Sequence, residues 1–326
     1  MKIFRSLSEF AQAHNPDLRT VVTIGNFDGV HRGHTMVIES VRARAEKLGA
    51  LAVAVTFDPH PVTVLRPERE LRQLTPLDEK LRLLEATGLD ATLVLRFDDA
   101  LRQTTARAFA ESVLRDAMHA IEVHEGENFR FGHGAEADIA SLAQLGHECA
   151  FEVRAWNPLV LRGSPVSSSR IRKLIAAGAL SQARALLGRS FSVRSTPAHG
   201  RGYGSKYTVP TVNLAPYSGL LPENGVYITT LRIGEGAFER TFRGVTNAGN
   251  RPTFGADSFA VESFLFDFEP LELTESTPLE LTFLARLRAE QRFESPEALK
   301  AQILRDVQKA QRFFALCDAG IAHPLR

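Results

Sequence analysis

The sequence predicts an α/β fold in which a parallel sheet covered by helices is followed by a small antiparallel β-barrel with a C-terminal helix. Two observations carry that expectation. Up to Trp156, short apolar or β-branched runs alternate with helical periodicity, the pattern of parallel strands joined by crossover helices. Beyond Arg189, strand-like runs follow one another with glycine and proline between them, the pattern of a small barrel. A length of 326 residues with 44% hydrophobic side chains suits two cores of ordinary size. Glycine-punctuated helices before Arg189 place the boundary there, giving domains 1–188 and 189–326.

In order along the chain, Val21–Ile24, Leu51–Phe57, Ala91–Leu95, Ala120–His124 and Phe151–Trp156 are the expected strands of the first domain. Between the first two, Val37, Ile38, Val41, Ala45 and Leu48 fall on one helical face, and Gly49 ends that helix. Thr75-Pro76-Leu77-Asp78 reads as an N-cap, a first-turn proline and a capping-box acid ahead of a Leu77, Leu81, Leu84 stripe. Two short helices, Ser169–Ala177 and Ser181–Leu187, are separated by Gly178 and closed by Gly188. The barrel strands are expected at Phe191–Ser195, Gly225–Ile233, Thr241–Val245, Phe259–Phe268 and Leu279–Leu287. Ser295 caps and Pro296 opens a last helix, with Leu299, Ile303, Val307 and Phe314 close to one stripe.

Composition narrows the function. Lys plus Arg number 39 against 38 acidic residues, and a net charge of +1 calls for no nucleic-acid or membrane partner. Cys149 and Cys317 stand in different halves without the spacing of a disulfide framework or zinc site, which suits a reducing compartment. No apolar run approaches a signal sequence or a membrane span. A cytoplasmic protein acting on small molecules, with no obligate protein partner, is expected.

The chemistry concentrates first where strand Val21–Ile24 runs into Gly25-Asn26-Phe27-Asp28-Gly29-Val30-His31-Arg32-Gly33-His34 and then into a helix. Glycines at a strand-to-helix turn let backbone N–H groups approach a phosphate, and the helix N-terminus adds partial positive charge. His31 and His34, three apart, lie on one side of a helical turn and can both donate to the oxygens of a transferring phosphoryl group. The alternative is a glycine-rich turn whose histidines only cap the helix. Neither a zinc-protease helix nor a Walker loop fits these letters.

This stretch resembles the signature of the prokaryotic bifunctional riboflavin kinase/FMN adenylyltransferase (FAD synthetase) family, whose first domain is a Rossmann-like HxGH nucleotidyltransferase. Further stretches match in order: Phe57-Asp58-Pro59-His60-Pro61, Gly126-Glu127-Asn128-Phe129-Arg130-Phe131-Gly132 and Val166-Ser167-Ser168-Ser169-Arg170-Ile171-Arg172. The resemblance implies adenylyl transfer from ATP to FMN, with His31 and His34 catalytic and Gly25, Phe27, Asp28, Asn128, Ser168, Ser169 and Arg172 contacting the nucleotide. Phe57, Pro59 and His60 stand at a strand's C-terminal end, where α/β folds bind ligands, and are candidates for flavin contact; a plain proline turn is the alternative. Ser168 and Ser169 can also simply cap the helix that carries Arg172.

In the second domain, His199-Gly200-Arg201-Gly202-Tyr203-Gly204-Ser205-Lys206 reads as a flap whose Gly200 and Gly204 let it close over phosphates, or as an ordinary β-turn. In Val209-Pro210-Thr211-Val212-Asn213, the Thr211 hydroxyl and Asn213 amide oxygen project to one side of extended chain, an arrangement suited to Mg2+. Here the order resembles riboflavin kinase: Gly225-Val226-Tyr227, Asn247-Ala248-Gly249, Arg251-Pro252-Thr253-Phe254 and Val261-Glu262. The resemblance makes Glu262 the general base for the ribityl hydroxyl, with ATP, riboflavin and FMN as substrates. Thr208, Val212, Phe264 and the Leu271–Thr274 region depart from that family's pattern. The expected function is therefore FAD biosynthesis by a bifunctional enzyme; the alternative is an FMN adenylyltransferase whose C-terminal domain binds flavin without phosphorylating it.

Overall fold

In a computed structural model, residues 1–13, 18–198, 211–250, 259–269, 271 and 273–321 are described, and they form two compact units, Met1–Ser168 and Ser169–Arg326. The first unit runs β1 (Lys2–Phe4), α1 (Leu7–Gln12), β2 (Thr20–Ile24), α2 (Arg32–Leu48), β3 (Leu51–Asp58), α3 (Pro61–Leu65), α4 (Leu77–Glu85), β4 (Ala91–Arg96), α5 (Asp99–Gln103) and α6 (Ala106–Phe109), which continues as a π-helical segment to Ala117. It goes on through β5 (Ala120–Gly126), β6 (Arg130–Phe131), β7 (Ala137–Asp138), α7 (Ile139–Cys149), β8 (Glu152–Trp156), β9 (Val160–Leu161) and β10 (Ser164–Pro165). All five expected strands are present, and β1 adds an edge the sequence did not announce.

The main sheet has the order β1-β4-β3-β2-β5-β8, and every pairing in it is parallel. Alternate residues of its strands feed two cores. Val22, Ile24, Val53, Val55 and Leu93 face α1, α6 and α7 through Phe10, Phe109, Leu114 and Leu142. Val21, Ala52 and Ala54 face α2 and α4 through Ile38, Val41 and Leu84. Each such fully buried aliphatic side chain contributes about 1.5–3 kcal/mol, so the strand alternation and the α2 stripe settle the layering together. Leu48 departs from that stripe at 40% exposure, because the helix ends beside Gly49, φ +62°, and turns away from the sheet.

At α4 the expected cap does not form. Pro76 occupies the N-cap position without a side-chain bond, and Thr75 is 3% exposed with its hydroxyl accepting from Gly29 N–H at 2.9 Å. A capping residue by local rule is taken by a long-range partner.

The second unit begins with α8 (Ser168–Ala176, its first residue belonging to the first unit) and α9 (Leu180–Leu187), followed by β11 (Phe191–Ser195), β12 (Thr211–Leu214), β13 (Gly225–Ile233), β14 (Arg240–Asn250), β15 (Phe259–Leu265), β16 (Leu279–Ala289) and α10 (Pro296–Asp318). α9 packs on β11 and β16, so by contact the two short helices group with the sheet that follows them, ahead of the sequence boundary at Arg189.

The sheet order is β11-β16-β13-β14-β15-β12, antiparallel throughout. Its ends meet: Ala198 N–H donates to Asn213 O and Ala215 N–H to Thr196 O, each at 2.8 Å, which curls the sheet into a barrel. Inside lie Tyr227, Leu231, Phe283, Val261 and Leu265, with a hydroxyl chain from Thr229 through Thr246 to Ser263 at 2.7 and 2.8 Å. Ser295 accepts from Ala298 N–H and opens α10 as expected. Its stripe is shifted, however: Leu299 and Ile303 are 41% and 38% exposed, while Asp306, Ala310 and Phe314 are buried. Asp306 is held inward by Arg288 at 2.8 Å and Gln302 at 2.9 Å, and this ion pair sets the buried face.

Candidate functional site

In the first unit strand order reverses at β2 and β5: β3 and β4 lie to one side, β8 to the other. The crevice outside the carboxyl ends of two such strands is where open α/β sheets bind ligands. The loop carrying the two histidines leaves β2 there, and the turn carrying Asn128 leaves β5 there.

His31 is the N-cap of α2. Its Nδ1 accepts from His34 N–H at 3.3 Å, and His34 Nδ1 accepts from His31 N–H at 3.4 Å. The two rings stack with centroids 3.6 Å apart and planes 14° from parallel, and Phe27 closes on His34 edge-on at 5.2 Å. Gly33 makes the stacking possible, since a Cβ there would stand 3.2 Å from the His31 ring. Both histidines therefore cap the helix, and capping fixes their chemistry. An Nδ1 that accepts a backbone N–H carries no proton, so in each neutral ring the proton resides on Nε2. Two like-oriented N–H donors at a helix N-terminus form an anion-binding pair.

The loop is strained and braced. Phe27 and Val30 have φ of +45° and +34°, left-handed values that cost about 1–3 kcal/mol each in non-glycine residues, and both side chains are buried. Asp28, 1% exposed, holds the conformation: its carboxylate accepts from Leu74 N–H at 3.1 Å and Thr75 N–H at 3.0 Å. Its backbone carbonyl accepts from the Ser168 hydroxyl at 2.9 Å. The Asp28 side chain is thus turned into the protein as a brace, whereas the sequence places it on the nucleotide. Ser168 is likewise engaged with the loop.

Two ionisable groups beneath the loop escaped the sequence reading. Lys80, 2% exposed, reaches Thr56 Oγ1 at 3.3 Å and Phe57 O at 3.4 Å. Burial lowers its pKa, with Asp28 and Asp58 opposing. Glu125 on β5, 4% exposed, accepts from Ile24 N–H and from the Thr23 hydroxyl at 3.4 Å. Burial pushes its pKa well above the usual carboxylate range, against those two hydrogen bonds. The only sequence signal for either is a charged residue inside an apolar pattern, which strand and helix periodicity alone cannot interpret.

At the end of β3, Phe57 is half-buried against Phe97 and Pro59 is exposed, whereas His60 is 4% exposed with its Nδ1 capping α3 through Val62 N–H at 3.1 Å. Asn128 is exposed in the turn that closes through Phe129 N–H to Gly126 O at 2.9 Å. Gly25 donates its N–H to Val55 O at 2.9 Å, and a Cβ on it would stand 3.3 Å from the Phe27 ring. In the second unit, Ser169 and Arg172 share α8, with Arg172 Nη1 3.5 Å from Ser169 Oγ. Gly200 and Gly204 lie outside the described residues.

The barrel brings the remaining candidates together by register. Glu262 on β15 stands opposite Asn213 on β12 and, on its other side, opposite Asn247 on β14; Thr211 is two residues from Asn213 on the same face. These residues share the outer face, on which Val226, Ile228 and Val245 pack against Ala310 and Phe314 of α10. Among the described residues no group of three His, Cys, Asp or Glu could hold a metal ion. A hydroxyl and an amide oxygen fit a hard cation that keeps water and nucleotide oxygens as its other ligands. Asn247 carries no sequence signal of a site role, because only register shows it beside Glu262.

A histidine-capped strand-to-helix loop at the switch point of a parallel sheet, followed by a separate antiparallel barrel with a carboxylate on its outer face, defines a two-domain nucleotide-using transferase. The FAD synthetase family matches residues 13–170 and the riboflavin kinase family residues 187–314. The bifunctional riboflavin kinase/FMN adenylyltransferase of Escherichia coli K12 is 33% identical over 97% of this chain and 99% of its own length, and that of Pseudomonas fluorescens 34% over 97% and 98%. The chain belongs to the bifunctional riboflavin kinase/FMN adenylyltransferase family. A solved structure described as a macrolide-efflux protein from Streptococcus pneumoniae matches with a TM-score of 0.82 at 25% identity, covering 95% of this chain and 98% of that one. Among the described residues no helix is long and apolar enough to cross a membrane.

Proposed function

We propose that the first domain, residues 1–188, transfers the adenylyl group of ATP to FMN, and that the second, residues 189–326, makes that FMN from riboflavin and ATP. The observation that carries the first assignment is the stacked pair His31 and His34, each with Nδ1 tied to backbone. The FMN phosphate oxygen attacks the α-phosphorus of ATP, the α–β bridging bond breaks, and pyrophosphate leaves. The two Nε2–H groups donate to the phosphoryl oxygens as charge builds on them. Phe27 and Gly25 shape the loop, Asp28 and Ser168 hold it, and Asn128, Ser169 and Arg172 are candidates for nucleotide contact. Phe57 and Pro59 are candidates for flavin contact, while His60 supports α3.

In the barrel, Glu262 takes the proton of the terminal ribityl hydroxyl as that oxygen attacks the γ-phosphorus, and ADP leaves. Thr211 and Asn213 would hold Mg2+, which supplies charge neutralisation of the triphosphate when bound. Gly200 and Gly204 are the proposed flap positions. Cys149 and Cys317 are both free, consistent with a reducing, cytoplasmic setting; the same reading makes small molecules the substrates and calls for no nucleic acid, membrane or obligate protein partner.

Time courses with riboflavin, ATP and magnesium, the flavins separated by chromatography, test both halves. FMN followed by FAD is expected. His31→Asn keeps a capping acceptor but loses the Nε2 donor, so it should stop FAD formation and leave FMN formation intact. FAD formation at the wild-type rate in that variant would reduce His31 to a cap.

A further inference from the structure

We propose that Glu125 is a positioning residue for adenylyl transfer: its carboxyl group replaces the missing rung between β2 and β5 and thereby fixes the loop that carries His31 and His34. The inference rests on the reading of that loop as the transfer site. The backbone ladder between the two strands ends at Val22 and Val123, after a register shift near Thr20. Thr23 and Ile24, the last residues of β2, lie beyond that ladder. A backbone N–H left unpaired in this place would be buried, since Ile24 is 4% exposed. Glu125 supplies the acceptor for Ile24 N–H and for the Thr23 hydroxyl through one oxygen, Oε1. The next residue, Gly25, is tied on its other side to Val55 O of β3, so the loop is gripped from both neighbouring strands at its first two residues.

A side chain suffices where backbone cannot reach. Burial displaces the Glu125 titration upward, against the Ile24 and Thr23 bonds. Burial thus favours the neutral carboxyl over a buried anion. Loss of this rung should weaken ATP binding for FAD formation, while FMN formation in the same chain should not respond.

Glu125→Gln keeps an acceptor oxygen and cannot ionise; Glu125→Ala removes the rung. With the full-length protein, the KM for ATP in FAD formation is measured for the wild type and both variants, with FMN formation as the internal control, and amide exchange is followed across residues 20–34. Glu125→Ala should raise that KM about fivefold or more, with faster exchange across the loop and unchanged FMN formation, and Glu125→Gln should bring both back towards wild type. An unchanged KM or unchanged exchange in Glu125→Ala, or a Glu125→Gln variant as impaired as Glu125→Ala, would overturn the proposal. A wild-type protein that makes no FAD would overturn the site assignment instead, and exchange in the two variants would still decide whether Glu125 holds the loop.

Discussion

The two candidate sites of this chain are built in opposite ways. In the first unit the site is a loop at the ends of parallel strands, so its geometry depends on side chains that grip backbone: Asp28 on Leu74 and Thr75, His31 and His34 on each other, Glu125 on Ile24. In the barrel the site lies on a sheet face, and the ladder itself places Asn213, Glu262 and Asn247 side by side. A loop site needs dedicated braces, whereas a sheet site inherits its precision from register. The cost of losing a functional residue should accordingly spread further in the first unit.

The sharpest break of the comparison is a pair of single changes. His31→Ala should lower FAD formation by about 100-fold or more while leaving FMN formation within twofold, and Glu262→Ala should do the reverse with FMN supplied for the second step. Only His31→Ala should also loosen its own scaffold, seen as a fall in melting temperature, because it removes the cap of α2. Loss of both activities from either folded variant would contradict the two-site assignment.

A second contrast concerns acid. Glu122 is 3% exposed between Arg44, which bonds it most strongly, His124 at 3.1 Å and Arg154 at 2.9 Å, and its pKa falls from 4.5 to about 2. His124 in turn lies 2.8 Å from the Ser40 hydroxyl, so the cluster ties α2 to β5 and β8. Because the folded value lies below the unfolded one, the stabilisation is complete above pH 4.5 and is lost as pH falls through about 2. Glu122→Gln should cost about 2–3 kcal/mol near neutrality, and its deficit in melting temperature should shrink on acidification through that window.

Smaller effects refine the barrel side. Asn247→Ala should lower FMN formation about tenfold without affecting FAD formation from supplied FMN, if proximity across the ladder orients Glu262. An unchanged kinase rate would confine the face to Glu262, Asn213 and Thr211. Thr246→Val breaks the hydroxyl chain with Thr229 and Ser263 and should cost about 1–2 kcal/mol of barrel stability, read from denaturant midpoints, with both activities retained in the folded fraction.

How much was legible follows from the range of the forces involved. The alternation of strand and helix, the Gly49 and Gly188 stops and the Ser295 cap depend on a few neighbouring residues, and all of them are present. The loop motif was legible because glycines and histidines lie together in sequence. Thr75 was misread because its partner, Gly29, is 46 residues away, and the α10 stripe because Arg288 draws Asp306 inward from another element.

By itself the sequence determined the succession of an α/β half and a β half, the strand-loop-helix that carries His31 and His34, and the extended pair Thr211 and Asn213. These follow from periodicity, turn chemistry and spacing, which are local. Only the tertiary structure decided that Asp28 faces inward, that Glu125 substitutes for a backbone rung 101 residues away from its partner Ile24, and that Asn247 flanks Glu262. Such choices arise where strands diverge or pair, and they depend on which distant polar group must be satisfied once the chain has buried it.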